Sequence, residues 1–285
     1  MITVLVPSPA LDVTYLVDEL RPGAIHRPFE VVRLAGGKGF NLARAALRLG
    51  EHVEVIAALG GPTGERVAEL ARGEGIRLTR IDATGETRTC VSVVGQEVTE
   101  INERAPASDL AALVRAAPST SRLVVSGSVE GDIDALGGRV VAVDTSGAAL
   151  AALVAHGADL VKVNRAEAAE AIGRDGTALE LASALRERGI RTVVVTDGAD
   201  GAVAIDAQGA WRAEPDPLRG RYTVGSGDSF FAGLLVAQER GQSLPLALRL
   251  ASAAGSANTR RPGAGLFSRD DVQAAWARIR VTTPS

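Results

Sequence analysis

Thr223-Val224-Gly225-Ser226-Gly227-Asp228-Ser229-Phe230-Phe231-Ala232-Gly233-Leu234-Leu235 reads as a tight turn that opens a helix. Three small residues, Gly225, Ser226 and Gly227, lead into Asp228, and Phe230, Phe231, Leu234 and Leu235 follow at spacings that share one helical face. Such a start leaves backbone N–H groups free and presents the positive end of the helix dipole. It favours anions, and glycines let a phosphate come close to the backbone. Asp228 in the first turn has two readings. It caps the helix, or it stands beside an anion hole, where a carboxylate would take a proton from an alcohol attacking a phosphate. The stretch alone leaves both open.

A second glycine-rich opening lies upstream. Ala35-Gly36-Gly37-Lys38-Gly39 precedes a helical stripe of Leu42, Ala45, Ala46 and Leu49, ended by Gly50. Neither opening fits a Walker loop or a dinucleotide G-x-G-x-x-G after a strand. Around them the chain alternates. Apolar runs at 4–6, 53–59, 76–81, 123–126, 140–143, 160–163 and 193–196 read as buried strands, and helices are expected at 64–72, 150–155, 178–188, 244–258 and 269–279. Continuous apolar strands separated by helices specify an α/β sandwich with a mostly parallel sheet, whose ligands bind at the strands' carboxyl ends. Two regions break the rhythm. Residues 13–17 and 29–34, and again 89–94 and 97–101 around Gly95-Gln96, read as strands of a small sheet outside the main core.

Composition narrows the class. Apolar residues at 46% and charged residues at 23% suit an ordinary globular chain. A net charge of −3 without a Lys/Arg run argues against a nucleic-acid surface. The single cysteine, Cys90, excludes an intramolecular disulfide and a thiolate metal cluster. His26, His52 and His156 are scattered and show no metal spacing. The start Met1-Ile2-Thr3-Val4-Leu5-Val6-Pro7 lacks a basic n-region and a cleavage site, and no apolar stretch approaches the length of a membrane span. A cytoplasmic protein without membrane or nucleic-acid partners is expected.

Ala35-Gly36-Gly37-Lys38-Gly39-Phe40-Asn41 and Val224-Gly225-Ser226-Gly227-Asp228-Ser229 resemble the two signatures of the ribokinase/PfkB superfamily of carbohydrate kinases. The resemblance runs from Val6 to about Gly265, with the motifs in the family's order. Ser8-Pro9-Ala10-Leu11-Asp12, Thr87-Arg88-Thr89, Thr99-Glu100-Ile101-Asn102-Glu103 and Asp144-Thr145-Ser146-Gly147 are similar to stretches of the 1-phosphofructokinase/tagatose-6-phosphate kinase branch. The resemblance implies a ribokinase-like three-layer α/β/α sandwich. It implies a single kinase domain over 1–285, with lid strands inserted at about 12–34 and 88–102 and a homodimer formed through the lid.

It also implies roles. Asp228 would be the general base, its ionised form favoured by the helix N-terminus, with Gly225, Ser226 and Gly227 forming the anion hole. Asp12 and Asn41 would bond sugar hydroxyls, with Gly36 and Gly37 permitting close approach; from the residues alone Asp12 is also a turn residue and Asn41 a first-turn polar residue. Lys38 and Arg88 would hold the phosphate already on the substrate, unless they are simply solvated cations; Arg suits a phosphate through its planar fork. Asn164-Arg165-Ala166-Glu167 resembles the family's N-x-x-E, which implies Asn164 and Glu167 near Mg²⁺, Glu167 through water. ATP would meet Lys162, Asn164, Thr196, Gly198, Gly201, Gly225 and Gly227, with Asn258 near the adenine.

Several positions depart from the branch. Ser8 replaces Asn, Gly127-Ser128-Val129-Glu130-Gly131 replaces a proline-containing loop, Arg104 stands where a Pro-Gly-Pro begins, Val163 replaces Pro, and Tyr222 replaces a small polar residue. Arg104 is a candidate further phosphate contact. The first reading is ATP-dependent, Mg²⁺-requiring phosphorylation of fructose 1-phosphate to fructose 1,6-bisphosphate, with fructose 6-phosphate and tagatose 6-phosphate close behind. A kinase of an unphosphorylated sugar or nucleoside, and a non-catalytic sugar or nucleotide sensor, are the alternatives.

Overall fold

The computed structural model describes residues 2–106, 108–129, 132–139 and 141–284. In chain order its strands are β1 (Ile2–Val6), β2 (Ala10–Leu16), β3 (Glu30–Gly36), β4 (Glu54–Leu59), β5 (Arg77–Asp82), β6 (Arg88–Val94) and β7 (Val98–Asn102). They continue as β8 (Arg122–Ser126), β9 (Val141–Asp144), β10 (Leu160–Asn164), β11 (Thr192–Thr196), β12 (Ala202–Asp206), β13 (Gly209–Ala213) and β14 (Val281–Thr282). The helices are α1 (Lys38–Arg48), α2 (Gly61–Gly73), α3 (Leu110–Ala116), α4 (Gly147–His156) and α5 (Arg165–Ile172), then α6 (Ala178–Glu187), α7 (Ser226–Glu239), α8 (Leu244–Asn258) and α9 (Arg269–Arg278). Among the described residues no helix is long and apolar enough to cross a membrane.

The main sheet has the order β14-β13-β12-β11-β10-β9-β8-β1-β4-β5. From β11 to β5 every pair is parallel, which the uninterrupted Val, Leu and Ile runs require because both faces are covered. Alternation shows it directly. Val4, Val55, Val124 and Val194 pack under α1, α2, α7, α8 and α9, while Leu5, Ile56, Val125 and Val195 pack under α3 to α6. In the sheet β4 and β5 lie on one side of β1, and β8 and the strands that follow it lie on the other. That reversal opens a crevice at the strands' carboxyl ends.

The small sheet has the order β3-β2-β6-β7 and stands over that crevice. Strands β2 and β3 are longer than the periodicity implies, so Asp12 and Gly36 belong to them rather than to a turn. Along β7 the side chains alternate: Glu100 and Asn102 line the crevice, and Ile101 faces out, 63% exposed. The antiparallel edge β12-β13-β14 carries no sequence signal strong enough to expect it, because β12 and β13 are rich in alanine, a weak strand former. Val140 of the strand expected at 140–143, and Glu130-Gly131 of the altered loop, lie outside the described residues.

Helix α7 differs from expectation. Instead of one apolar face it is buried on all sides from Asp228 to Ala237, a central helix wrapped by α1 and α8. The approach of α8 is close: a side chain at Gly233 would place its Cβ 2.8 Å from the Ala251 Cα and 2.9 Å from the Leu250 carbonyl oxygen. Both are backbone atoms, so the helices themselves would have to part. Gly233→Val is therefore expected to cost about 1–3 kcal/mol, seen as a lower urea midpoint with an unchanged slope; an unaltered midpoint would show that α7 and α8 separate freely.

Candidate active site

Two recesses meet at the carboxyl edge of the parallel strands. The larger, about 750 Å³, lies between the lid and the main sheet. The smaller, about 300 Å³, is mainly apolar and lies between β11, β12, the segment 214–220 and α8. Thr196, Thr223 and Gly227 line both. Helix α7 begins at this junction.

Its opening turn is built by glycine. Gly225 has φ +78°, and a Cβ there would fall 2.2 Å from the Ala264 Cβ, so only glycine fits both the conformation and the space. The Ser226 N–H donates to the Thr223 carbonyl at 3.1 Å, and the helical ladder starts with the Ser229 N–H on the Gly225 carbonyl at 2.9 Å. The N–H groups of Gly227 and Asp228 lie at the open end between them. No side chain caps this helix, so the capping role for Asp228 falls away. Its Oδ2 instead accepts the Asn41 Nδ2–H at 2.9 Å.

The Asp228 carboxyl is 7% exposed. Burial, and then the charge of Asp144, raise its pKa; Lys38, the Asn41 hydrogen bond and Lys162 pull it back, and the balance is about 6. Desolvation and a neighbouring carboxylate thus work against the ionised form that the helix terminus is expected to favour. Ionisation near neutrality is retained.

Asp144, at the end of β9, is the charge centre that the sequence left unassigned beyond its motif. It is fully buried, and it accepts Lys38 Nζ on Oδ1 at 2.9 Å and Lys162 Nζ on Oδ2 at 2.7 Å. Burial works against its ionisation, but the two ammoniums hold its pKa below the usual carboxylate range. For Lys38, burial likewise opposes charge, and Asp144 and Asp228 overcome it and push the pKa up. Lys162 lies against the start of α7: a Cβ at Gly227 would be 3.0 Å from its Nζ. Two ammoniums thus stand beside a positive helix end, held in place by one buried carboxylate, an arrangement of donors that suits phosphate.

On the lid side, Asp12, Gly37, Lys38, Asn41 and Arg88 line the larger recess. Gly36 lies behind Asp12, where any Cβ would overlap the carboxyl carbon at 2.0 Å. Burial raises the Asp12 pKa to about 6 against Arg44 and the Gly37 N–H. Arg88 donates through Nη1 to the Glu103 carbonyl at 3.0 Å and through Nη2 to the Ser8 carbonyl at 3.3 Å, which fixes its plane at the mouth of the recess. Arg104 is exposed and lies outside the lining of either recess.

Asn164 and Glu167 line the larger recess as a capping box on α5: each side chain accepts the other's backbone N–H, both at 2.8 Å. That leaves Glu167 one carboxylate oxygen. Among the described residues no group of three or more His, Cys, Asp or Glu gathers to hold a metal. A single outward carboxylate fits an ion that keeps most of its waters, as Mg²⁺ does.

Thr196, Gly198, Gly201, Ser226 and Gly227 line the smaller recess, and Lys162, Asn164 and Gly225 the larger. Asn258, expected near the adenine, lines neither recess, although Ser256 and Thr259 beside it line the smaller one; its amide is an internal clamp. Its Nδ2 donates to the Val224 carbonyl at 2.8 Å and Ser226 Oγ at 3.2 Å, and its Oδ1 accepts the Gly265 N–H at 2.7 Å and Ser229 Oγ at 3.1 Å. Pro215, Arg219 and Ser256, which also line the smaller recess, carry no motif by which the sequence alone would find them.

The family model described as pfkB family carbohydrate kinase matches residues 5–271. The chain is 33% identical to 1-phosphofructokinase of Haloferax volcanii, over 99% of each chain. It is 30% identical to ATP-dependent 6-phosphofructokinase isozyme 2 of Escherichia coli, over 95% of this chain and 96% of that one. The crystal structure of phosphofructokinase-2 from Escherichia coli in complex with substrates and products is similar at a TM-score of 0.86 and 29% identity, covering 97% of this chain and 98% of that one.

Asp144→Asn removes the charge that raises Asp228 and frees two ammoniums that lower it. The Asp228 carboxyl is then expected to titrate below its present value of about 6 in carbon-13 NMR of Asp-labelled protein; an unchanged or higher value contradicts this electrostatic account.

Proposed function

The chain belongs to the pfkB family of carbohydrate kinases, and we propose that it transfers the γ-phosphoryl group of ATP to a hydroxyl of a phosphorylated ketohexose, fructose 1-phosphate before fructose 6-phosphate or tagatose 6-phosphate. It is a carbohydrate kinase, and relatives named 1-phosphofructokinase and 6-phosphofructokinase support a sugar phosphate as its substrate. The observation that carries the proposal is the buried carboxylate of Asp228 at the open end of α7, where the two recesses join. A donor in the smaller recess and an acceptor in the larger would bring the attacking hydroxyl and the γ-phosphate together there.

In this reading Asp228 takes the hydroxyl proton as the new P–O bond forms. A pKa of about 6 leaves it ionised near neutrality yet basic enough to accept a proton. The N–H groups of Gly227 and Asp228 and the Lys162 ammonium face the transferring group and offset its charge, so most of the catalysis is positioning and electrostatics. Lys38 shares Asp144 with Lys162, which supports placing it with the transferring group rather than with the sugar's own phosphate. Arg88 at the recess mouth is then left for that phosphate, and Asp12 for the sugar hydroxyls. Bound through water by Glu167 and Asn164, Mg²⁺ would neutralise charge on the nucleotide's phosphates. Ile25, Phe29 and Ile101 of the lid region are 85%, 63% and 63% exposed, which supports a homodimer through the lid. Sedimentation of Phe29→Asp as a smaller species than the parent would agree with that; equal sedimentation would not.

Coupled ADP release with Mg-ATP against free and phosphorylated sugars tests the substrate class. Turnover confined to phosphorylated ketohexoses is expected, and turnover confined to free sugars contradicts it. Because Asp228 must be ionised to act, kcat/KM should fall about tenfold per pH unit below about 6. Asp228→Asn should lower kcat by about two to four orders of magnitude while leaving ATP binding intact; a fully active Asn variant ends the assignment.

A further inference from the structure

Asn41 raises a question that its expected contact with a sugar hydroxyl does not answer. Its amide has a donor end and an acceptor end, and a rotation of the group exchanges them. The donor end faces Asp228. The acceptor end faces Arg44, whose Nη1 donates to Asn41 Oδ1 at 3.1 Å. A guanidinium can only donate and an ionised carboxylate can only accept, so the two partners together permit a single orientation of the amide. Arg44 decides which end of Asn41 the carboxylate meets.

Arg44 is 1% exposed and is not among the residues that line the recess. Besides Asn41 it donates through Nη1 to the Ala264 carbonyl at 3.0 Å and through Nη2 to the Ala35 carbonyl at 2.5 Å. Its charge is balanced by Glu74 at the end of α2, which receives both Nε and Nη2. Ala35 immediately precedes Gly36-Gly37, and Ala264 is the residue against which Gly225 packs. One buried planar fork therefore holds the residue before the first glycine-rich opening, the residue packed against the second, and the amide between them. A lysine, a point charge on a flexible stem, cannot reproduce that geometry.

The geometry points to Arg44 as a positioning residue for the transfer: through Asn41 it fixes a hydrogen-bond donor on the Asp228 carboxylate and so sets the base's orientation and proton affinity. The catalytic part of this rests on Asp228 being the base; the orientation of Asn41 does not. The groups that face Asp228 are Lys38 and Asn41 from α1, Asp144 from β9 and Lys162 from β10, with Asp12 of β2 coupled to it. Of these, Asn41 is the neutral one, and its bond favours the ionised acid.

Titration of the Asp228 carboxyl, followed by carbon-13 NMR of Asp-labelled protein and assigned with Asp228→Asn, tests this without a substrate. In Arg44→Lys the charge stays and the fork is lost, so Asp228 is expected to titrate above its present value. Asn41→Leu should raise it equally, and the double variant no further. With Mg-ATP and fructose 1-phosphate, Arg44→Lys should lower kcat about tenfold to a hundredfold, the equivalent of one lost bond to a charged group, and move the acid limb of the pH profile upward. An unmoved titration in Arg44→Lys, even with a lower melting temperature or lower kcat, overturns the inference by reducing Arg44 to a structural role. Should that variant fail to fold, an unmoved titration in Asn41→Leu overturns it as well. A raised titration with undiminished activity instead refutes Asp228 as base and leaves the positioning by Arg44 intact.

Discussion

A helix leaves its first N–H groups without partners of its own, and something must answer them. In α7 no side chain does. The surroundings keep that end open instead: Gly225 turns the chain in a left-handed conformation against Ala264, and Asn258 ties the loop before it to the Gly265 N–H. Gly227 is exposed and faces both recesses, so the open end is a place where an anion can replace water. A phosphoryl group in transfer is such an anion, which links the architecture of the turn to the chemistry of a kinase.

The charges around that end follow from the same constraint. Lys162 beside the terminus adds positive to positive, and the arrangement holds because Asp144 is buried between Lys162 and Lys38. Asp144 in turn lies near enough to Asp228 to make its ionisation harder. The fold thus separates two carboxylates by environment. Asp144 has two ammoniums and stays ionised below the usual range, whereas Asp228 has an amide and more distant cations and titrates near 6. A counter-ion and a base are distinguished by what they touch.

The sequence made the layers and the location of the site legible because both rest on local chemistry. Uninterrupted Val and Leu runs require a sheet covered on both faces, and Gly-Ser-Gly-Asp requires a turn opening a helix. What escaped it depends on distant partners. Periodicity gave α7 one apolar face, but burial on every side comes from α1 and α8 folding around it. The dipole of its own helix favours an ionised Asp228, whereas the opposing charge comes from Asp144, 84 positions earlier in the numbering. Asn258 looks like a ligand residue in the sequence, and only the structure shows each end of its amide engaged internally. Arg44 lies on α1 opposite the stripe of Leu42, Ala45, Ala46 and Leu49, where nothing in the local pattern marks an arginine as buried and bonded to the Ala35 and Ala264 carbonyls.

The claim on which the rest depends is that the open end of α7 receives the transferring phosphoryl group. Binding of ADP with Mg²⁺ in the presence of fructose 1-phosphate, with and without aluminium fluoride as a mimic of that group, measures it directly by calorimetry. The account predicts that fluoride tightens ADP binding in the parent, and that Gly225→Val, which forces a side chain into Ala264, loses the gain. An equal gain in the variant would contradict it.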